Sequence, residues 1–285
     1  MQTFGKLVVE LASGAAEEFC DWARGAWEVE PVWFERPGAE RAVIEVYFED
    51  VAAAGGRLTE LQEAWGGRFL AARAEAVPEE DWTTFWRHHF KIQDLGERLR
   101  IVPVWEKAPD RKRINLWMDP GLSFGTGDHF TTRFCLEELE RAWVELEMAS
   151  FLDAGTGSGI LAIAAARLGV PKVEGFDFDP VCVAGAARNA RLNKLPKGRI
   201  EWYEADVLQE GWRRGTADVV CANILTRVLV AAREELWRAT GCRLIVTGIR
   251  EDEGAEVEAA FGELGAKLVR RAGDGEWCGL VLEQS

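Results

Sequence analysis

From Phe151 to the end of the chain, short apolar runs alternate with stretches in which apolar residues recur every three or four positions. The runs at Phe151–Asp153, Val173–Asp177, Ile200–Ala205, Asp218–Asn223, Arg243–Thr247, Lys267–Arg270 and Trp277–Leu282 predict strands. The intervening stretches at Ile160–Leu168, Pro180–Asn193, Arg227–Ala239 and Glu251–Leu264 predict helices, and the connection from Ala205 to Asp218 an irregular loop. Such alternation predicts a parallel sheet with helices on both faces. Only six residues, centred on Ala272-Gly273-Asp274-Gly275, separate the last two strands, so these must form an antiparallel hairpin.

The first 75 residues follow a different rhythm. Lys6–Glu10, Trp27–Phe34, Arg41–Phe48 and Arg68–Arg73 predict strands, with a turn at Pro37-Gly38. Ala15–Arg24 and Leu58–Trp65 predict helices, the second starting after Gly55-Gly56. The order βαββαβ predicts a small α+β ferredoxin-like domain with one open sheet face. A linker over residues 76–90 follows, where Pro78 breaks the pattern and Asp81 opens a short aromatic helix, DWTTFWRHHFK. Leu99–Trp105 and Arg113–Met118 predict two more strands, so residues 91–285 form the second domain.

Composition narrows the function. The 285 residues are 48% hydrophobic and 29% charged, as in an ordinary globular protein, with no run that approaches a membrane helix and no secretory signal pattern. Six scattered cysteines without a CxxC pair read as reduced thiols, and three histidines, two of them adjacent, form no metal site. A net charge of −14 argues against direct nucleic-acid binding and suits a basic partner. Residues 1–75 hold 14 acids against seven Lys and Arg, half of that net charge, which makes this unit a candidate docking surface for a basic macromolecule; a merely solvated accessory domain explains the charge equally well.

The candidate chemistry centres on Asp153-Ala-Gly-Thr-Gly-Ser-Gly159. A strand end, a glycine turn and an immediate helix bring backbone N–H groups to one spot, where a nucleotide-like cofactor is expected. The spacing is GxGxG rather than the dinucleotide GxGxxG. Asp153 opens the motif, and Gly155 and Gly157 let a ligand approach the main chain. Asp177, 22 residues after Gly155, is placed for ribose hydroxyls or for a turn; Asp206 for an adenine amine or a cap. Asn223 closes the fourth strand in CANIL, where an amide either accepts from a nucleophilic amine or donates to the cofactor. Ile224 and Leu225 stand where base-methylating enzymes carry prolines. In FGTGDHFTT, the threonines Thr131 and Thr132 open a helix, with His129 a candidate base or lid residue. The sheet ending in a hairpin favours a seven-stranded, Rossmann-like methyltransferase over the rival readings, an NAD-type oxidoreductase or a non-catalytic cofactor-binding module.

FGTGDHFTT, DAGTGSGILAIAAARLG, FDFDP, CANIL and GEWC, in this order, resemble the ribosomal protein L11 methyltransferases (PrmA-type), as do DWTTFWRHHFK and RLRIVPVW. The resemblance covers nearly all of residues 78–285 and implies methyl transfer from S-adenosylmethionine to lysine side-chain and N-terminal amines of that ribosomal protein. It further implies that Thr132, Gly155, Asp177 and Asn223 contact the cofactor and that the first domain grips the substrate. Thr226-Arg-Val-Leu229 departs from the family's pattern at the amine entrance, which leaves open a methyltransferase of the same family acting on a lysine of a different protein. The chain is expected to act as a cytoplasmic monomer, without metal, membrane or nucleic-acid contacts.

Overall fold

The computed structural model describes residues 3–27, 29, 31–34, 41–78, 90–108, 112–119, 129–209 and 211–284. The chain divides into two compact units, Met1–His89 and Phe90–Ser285. The Pro37-Gly38 turn, the aromatic helix through His89 and the glycines Gly125 and Gly127 lie outside the described residues.

The first unit runs β1 (Thr3–Ala12), α1 (Ala16–Trp27), β2 (Val32–Phe34), β3 (Arg41–Phe48), α2 (Val51–Trp65) and β4 (Ala71–Pro78). Its antiparallel sheet has the order β2-β3-β1-β4. Leu7, Val9 and Leu11 alternate onto one face, opposite Val46, Ile44 and Ala42, and bury against Phe19, Trp27, Leu61 and Trp65 of the helices. The other face carries cross-strand ion pairs, Lys6 with Glu45 at 2.9 Å and with Glu75 at 3.5 Å. Three expected boundaries move. Trp27 ends α1 instead of starting a strand, because it packs edge-on against Phe19 and Phe48. α2 begins at Val51 and runs through Gly55-Gly56, because Asp50 caps it by accepting from Ala53 N–H at 2.8 Å. β4 covers Ala71–Pro78, so residues 76–78 pair with β1 rather than opening a linker.

The second unit opens with a three-stranded sheet, β5 (Gln93–Leu95), β6 (Leu99–Pro103) and β7 (Ile114–Met118); β5 was too short to be legible as a strand. Then follow α3 (Phe130–Glu145), β8 (Ser150–Ala154), α4 (Ile160–Leu168), β9 (Lys172–Asp177), α5 (Pro180–Leu192), β10 (Glu201–Glu204) and β11 (Ala217–Asn223). The chain finishes with α6 (Thr226–Ala231), α7 (Arg233–Ala239), β12 (Thr240–Arg250), α8 (Gly254–Gly262), β13 (Lys267–Gly273) and β14 (Trp277–Glu283). The expected helix at 227–239 is thus two helices, divided at Ala232.

The seven strands from β8 onward form one sheet in the order β10-β9-β8-β11-β12-β14-β13. All neighbours are parallel except β14, which runs antiparallel to both β12 and β13. Strand alternation sends Phe151, Val219, Cys221 and Ile245 toward α3 and α4, and Leu152, Val220, Leu244 and Val246 toward α6, α7 and α8. The chain winds outward from β8 through β10, then crosses back to β11. The carboxyl ends of β8 and β11 are therefore neighbours at the topological switch point, where open α/β sheets bind ligands.

Candidate cofactor site

A cavity of about 530 Å³ opens at that edge. It is lined by the glycine loop, by Phe176–Asp179 after β9, by Ala205–Leu208 after β10, by Asn223–Leu225 with Arg227 and Val228 after β11, and by Thr132 of α3. The loop folds into this shape because Gly155 (φ 75°), Gly157 (φ 52°) and Gly159 (φ 82°) adopt left-handed backbone. At Gly155 a Cβ would stand 2.5 Å from Ile224 Cγ2, so a side chain there would push the two strand ends apart.

Four of the loop's N–H groups are engaged within the fold. Gly155 and Thr156 N–H donate to Phe176 O at 3.0 and 2.8 Å, Gly157 N–H to Asp177 Oδ2 at 2.9 Å, and Gly159 N–H to Thr156 O at 2.8 Å. The N–H groups that the sequence gathers at this turn are thus partly engaged within the fold, with Phe176 O and the Asp177 carboxylate as their acceptors.

Of the expected residues, Thr132, Gly155, Gly157, Asp177, Asp206 and Asn223 come together around the cavity. Asp177 Oδ1 also accepts from Asp179 N–H at 3.1 Å, leaving each carboxylate oxygen one further lone pair. Asp206 Oδ1 accepts from Leu208 N–H at 2.9 Å and caps a turn, not a helix. Asn223 sits beside Thr247 in the sheet, and its side-chain amide has no partner among the described residues.

Asp153 is absent from the lining. It lies at the far side of the loop, 1% exposed, where Oδ2 accepts from the Thr156 hydroxyl at 2.6 Å and from Ala162 N–H at 3.2 Å. Burial pushes its carboxyl up to about 7; the two hydrogen bonds oppose that rise, and the nearby charge of Asp177 adds to it. Asp153 thus ties the loop to α4. His129 likewise serves structure: Nδ1 lies 2.8 Å from Thr131 Oγ1 at the start of α3, and the ring packs edge-on against Trp277. Phe178, directly after Asp177, was missed by the sequence reading; it is 73% exposed and lines the cavity.

Residues 12–285 match the family described as Ribosomal protein L11 methyltransferase (PrmA). The chain belongs to the ribosomal protein L11 methyltransferase family. Its similarity to the member from Pseudomonas fluorescens is 38% identity, covering 75% of this chain and 72% of the relative. For the member from Geobacter sulfurreducens it is also 38%, covering 85% and 82%. The solved ribosomal protein L11 methylase from Lactobacillus delbrueckii subsp. bulgaricus superposes with a TM-score of 0.62 at 30% identity, over 69% of this chain and all of that one. The chain is accordingly an S-adenosylmethionine-dependent protein methyltransferase. Among the described residues no helix is long and apolar enough to cross a membrane.

The residues present fit that cofactor. It carries a nucleoside, whose hydroxyls and amine are donors for the carboxylates that line the cavity. The Thr132 hydroxyl is buried and has no partner among the described residues, yet its side chain lines the cavity, so a polar ligand group would complete it. Thr132→Val should therefore leave stability unchanged or raise it, while S-adenosylmethionine affinity falls about 5- to 10-fold. Calorimetric titration with thermal melts checks this; unchanged affinity would place the hydroxyl outside the binding site.

Proposed function

We propose that the cavity holds S-adenosylmethionine between Asp177 at the ribose, Asp206 at the base, and Thr132 and the Gly155–Gly157 turn at the amino-acid end, with Asn223 at the reacting end. One observation carries this reading: carboxylates, a buried hydroxyl and a side-chain amide, the last two without a partner among the described residues, line one cavity at the sheet's switch point. When bound, the cofactor would supply an electrophilic methyl carbon on a sulfonium, open to in-line attack by an amine lone pair with the thioether sulfur as leaving group. The protein's own contribution is chiefly positioning. The Asn223 amide oxygen accepts from the incoming amine and aims its lone pair along the line of displacement.

The amine must arrive neutral. At pH 7 that costs a free lysine about 4.6 kcal/mol, given its pKa of ~10.4. No histidine lines the cavity among the described residues, so proton loss to solvent before transfer supplies the nucleophile. The substrates on this reading are lysine side-chain amines and the N-terminal amine of ribosomal protein L11. Residues 1–75 dock that basic protein, their 14 acids against seven cations supplying the attraction. The enzyme works as a cytoplasmic monomer and makes no direct contact with nucleic acid.

A labelled-methyl assay on ribosomal protein L11 tests both assignments. A protein comprising residues 90–285 should bind S-adenosylmethionine as the whole chain does, while methylation falls at least about 100-fold through loss of the tethered docking unit. Asn223→Ala should retain docking and lower kcat about 10- to 100-fold. Undiminished methylation by the shortened protein would refute the docking role, and full turnover by the alanine variant would refute the positioning role.

A further inference from the structure

Among the described residues that line the cavity, one is a cation, Arg227. The lining carboxylates, Asp177, Asp179 and Asp206, follow β9 and β10 on one side of the glycine loop. Arg227 follows β11 on the other side, four residues beyond Asn223. The cavity is therefore electrically divided, with its positive end where the amine is proposed to react.

The segment that carries Arg227 is held in place. Ile224 N–H donates to Thr247 O at 3.1 Å, and Cβ atoms at Gly155 and Gly248 would stand 2.5 and 2.4 Å from Ile224 atoms. The strand end is thus wedged between two glycines. The Thr226 hydroxyl then donates to the Glu253 carboxylate. Arg227 itself is exposed, and no described residue pairs with its guanidinium. Helix stability does not explain it, since the first turn is where a cation is least favoured. Substrate capture does not explain it either, because a guanidinium repels a lysine ammonium.

Its opposing charges are otherwise engaged. Asp177 accepts two backbone N–H groups, and Asp179 and Asp206 accept from Val181 and Leu208 N–H. Glu253 accepts from Thr226 and from Arg250 N–H, and Arg250 faces Asp252 at 3.8 Å. On α7, which packs on α6, Glu234 and Glu235 pair with Arg238, and Arg233 donates to Val230 O. α8 brings Glu256 and Glu258, and Cys182 lines the cavity on the carboxylate side with its thiol pushed up to about 11 by burial and by those carboxylates.

We propose that Arg227 is a positioning residue whose fixed positive charge at the reacting end disfavours the ammonium form of the incoming lysine, so that the amine meets Asn223 neutral. The inference rests on the proposed function and adds to it a device for preparing the nucleophile. A like charge nearby lowers a lysine's pKa, and kcat, measured at saturation, reports that pKa in the complex.

The test is the pH profile of kcat for S-adenosylmethionine and ribosomal protein L11, both saturating, between about pH 6 and pH 10. Peptide mass spectrometry separates methyl groups on lysines from those on the N-terminal amine. In Arg227→Ala the acidic limb for lysines should move up by about half to one pH unit, lowering kcat near pH 7 about 3- to 10-fold while the plateau is kept. Arg227→Lys should retain the wild-type limb, and Arg227→Glu should move it further up. Calorimetric cofactor affinity should be the same in all four proteins. An unmoved limb in every variant overturns the inference, as does a loss confined to cofactor affinity or to the KM for the protein substrate. A wild-type enzyme that methylates ribosomal protein L11 at no pH refutes the proposed function instead.

Discussion

Asp177→Ala is expected to weaken S-adenosylmethionine binding about 100-fold, the loss corresponding to two hydrogen bonds to a charged acceptor at roughly 1.5 kcal/mol each. Asp177 lies at the carboxyl end of β9, 7% exposed, and does two things at once. Its backbone-facing lone pairs hold Gly157 N–H at 2.9 Å and Asp179 N–H at 3.1 Å, fixing both the loop and the start of α5. Its remaining lone pairs turn to the cavity, where ribose hydroxyls are the donors a carboxylate serves best. Alanine removes both functions, so the penalty exceeds that of losing the ligand contacts alone. Asp177→Asn keeps one acceptor oxygen and should lose only about 10-fold. Calorimetry on the folded variants, with melting curves as controls, reads both numbers. A change of less than about 3-fold in the alanine variant would remove Asp177 from the ribose assignment.

How much of this was legible in the sequence depends on what kind of force sets each feature. Binary pattern governs the large sheet, so its strands and closing hairpin follow from apolar runs and one short turn. The Asp177 position follows from strand and helix lengths alone. Features set by tertiary contact were not legible. Gly55-Gly56 resembles a break, but Asp50 and the apolar stripe through Ala54, Leu58, Leu61 and Trp65 carry α2 across it. Nothing in Arg227–Ala239 marks the division at Ala232. The direction of the loop N–H groups is decided by Phe176 O and Asp177, which no local pattern reveals. The tetrapeptide Thr226–Leu229 is legible as a departure at the amine entrance, while the absence of a partner for Arg227 among the described residues needs three dimensions.

Asp153→Asn should stabilise the enzyme at alkaline pH and much less in acid, a consequence of where strand alternation sends this side chain. Asp153 stands beside Cys221 on the face of β8 that meets α3 and α4, among Cys135, Ile160 and Leu161. One oxygen holds Thr156 and Ala162; the other, Oδ1, is buried without a partner among the described residues. Such a site accepts a neutral acid and resists a carboxylate. With the folded-state value raised from 3.8 to about 7, the group's contribution is fully present below the unfolded value and is lost as pH rises through about 7. The total loss is roughly 4 kcal/mol, from about three pKa units at 1.36 kcal/mol each. Asparagine keeps an acceptor for Thr156 and Ala162 and never ionises. The difference in unfolding free energy between variant and wild type should therefore grow by about 2–3 kcal/mol between pH 5 and pH 8, all other titrations being common to both proteins. Urea denaturation at the two pH values measures it, and parallel pH profiles would show that Asp153 is not the titrating group. Because the charge of Asp177 contributes to holding Asp153 protonated, the gap should shrink when the same comparison is made in an Asp177→Ala background. A single carboxylate would then be seen to govern both the cofactor's ribose and the protonation of the acid behind the loop.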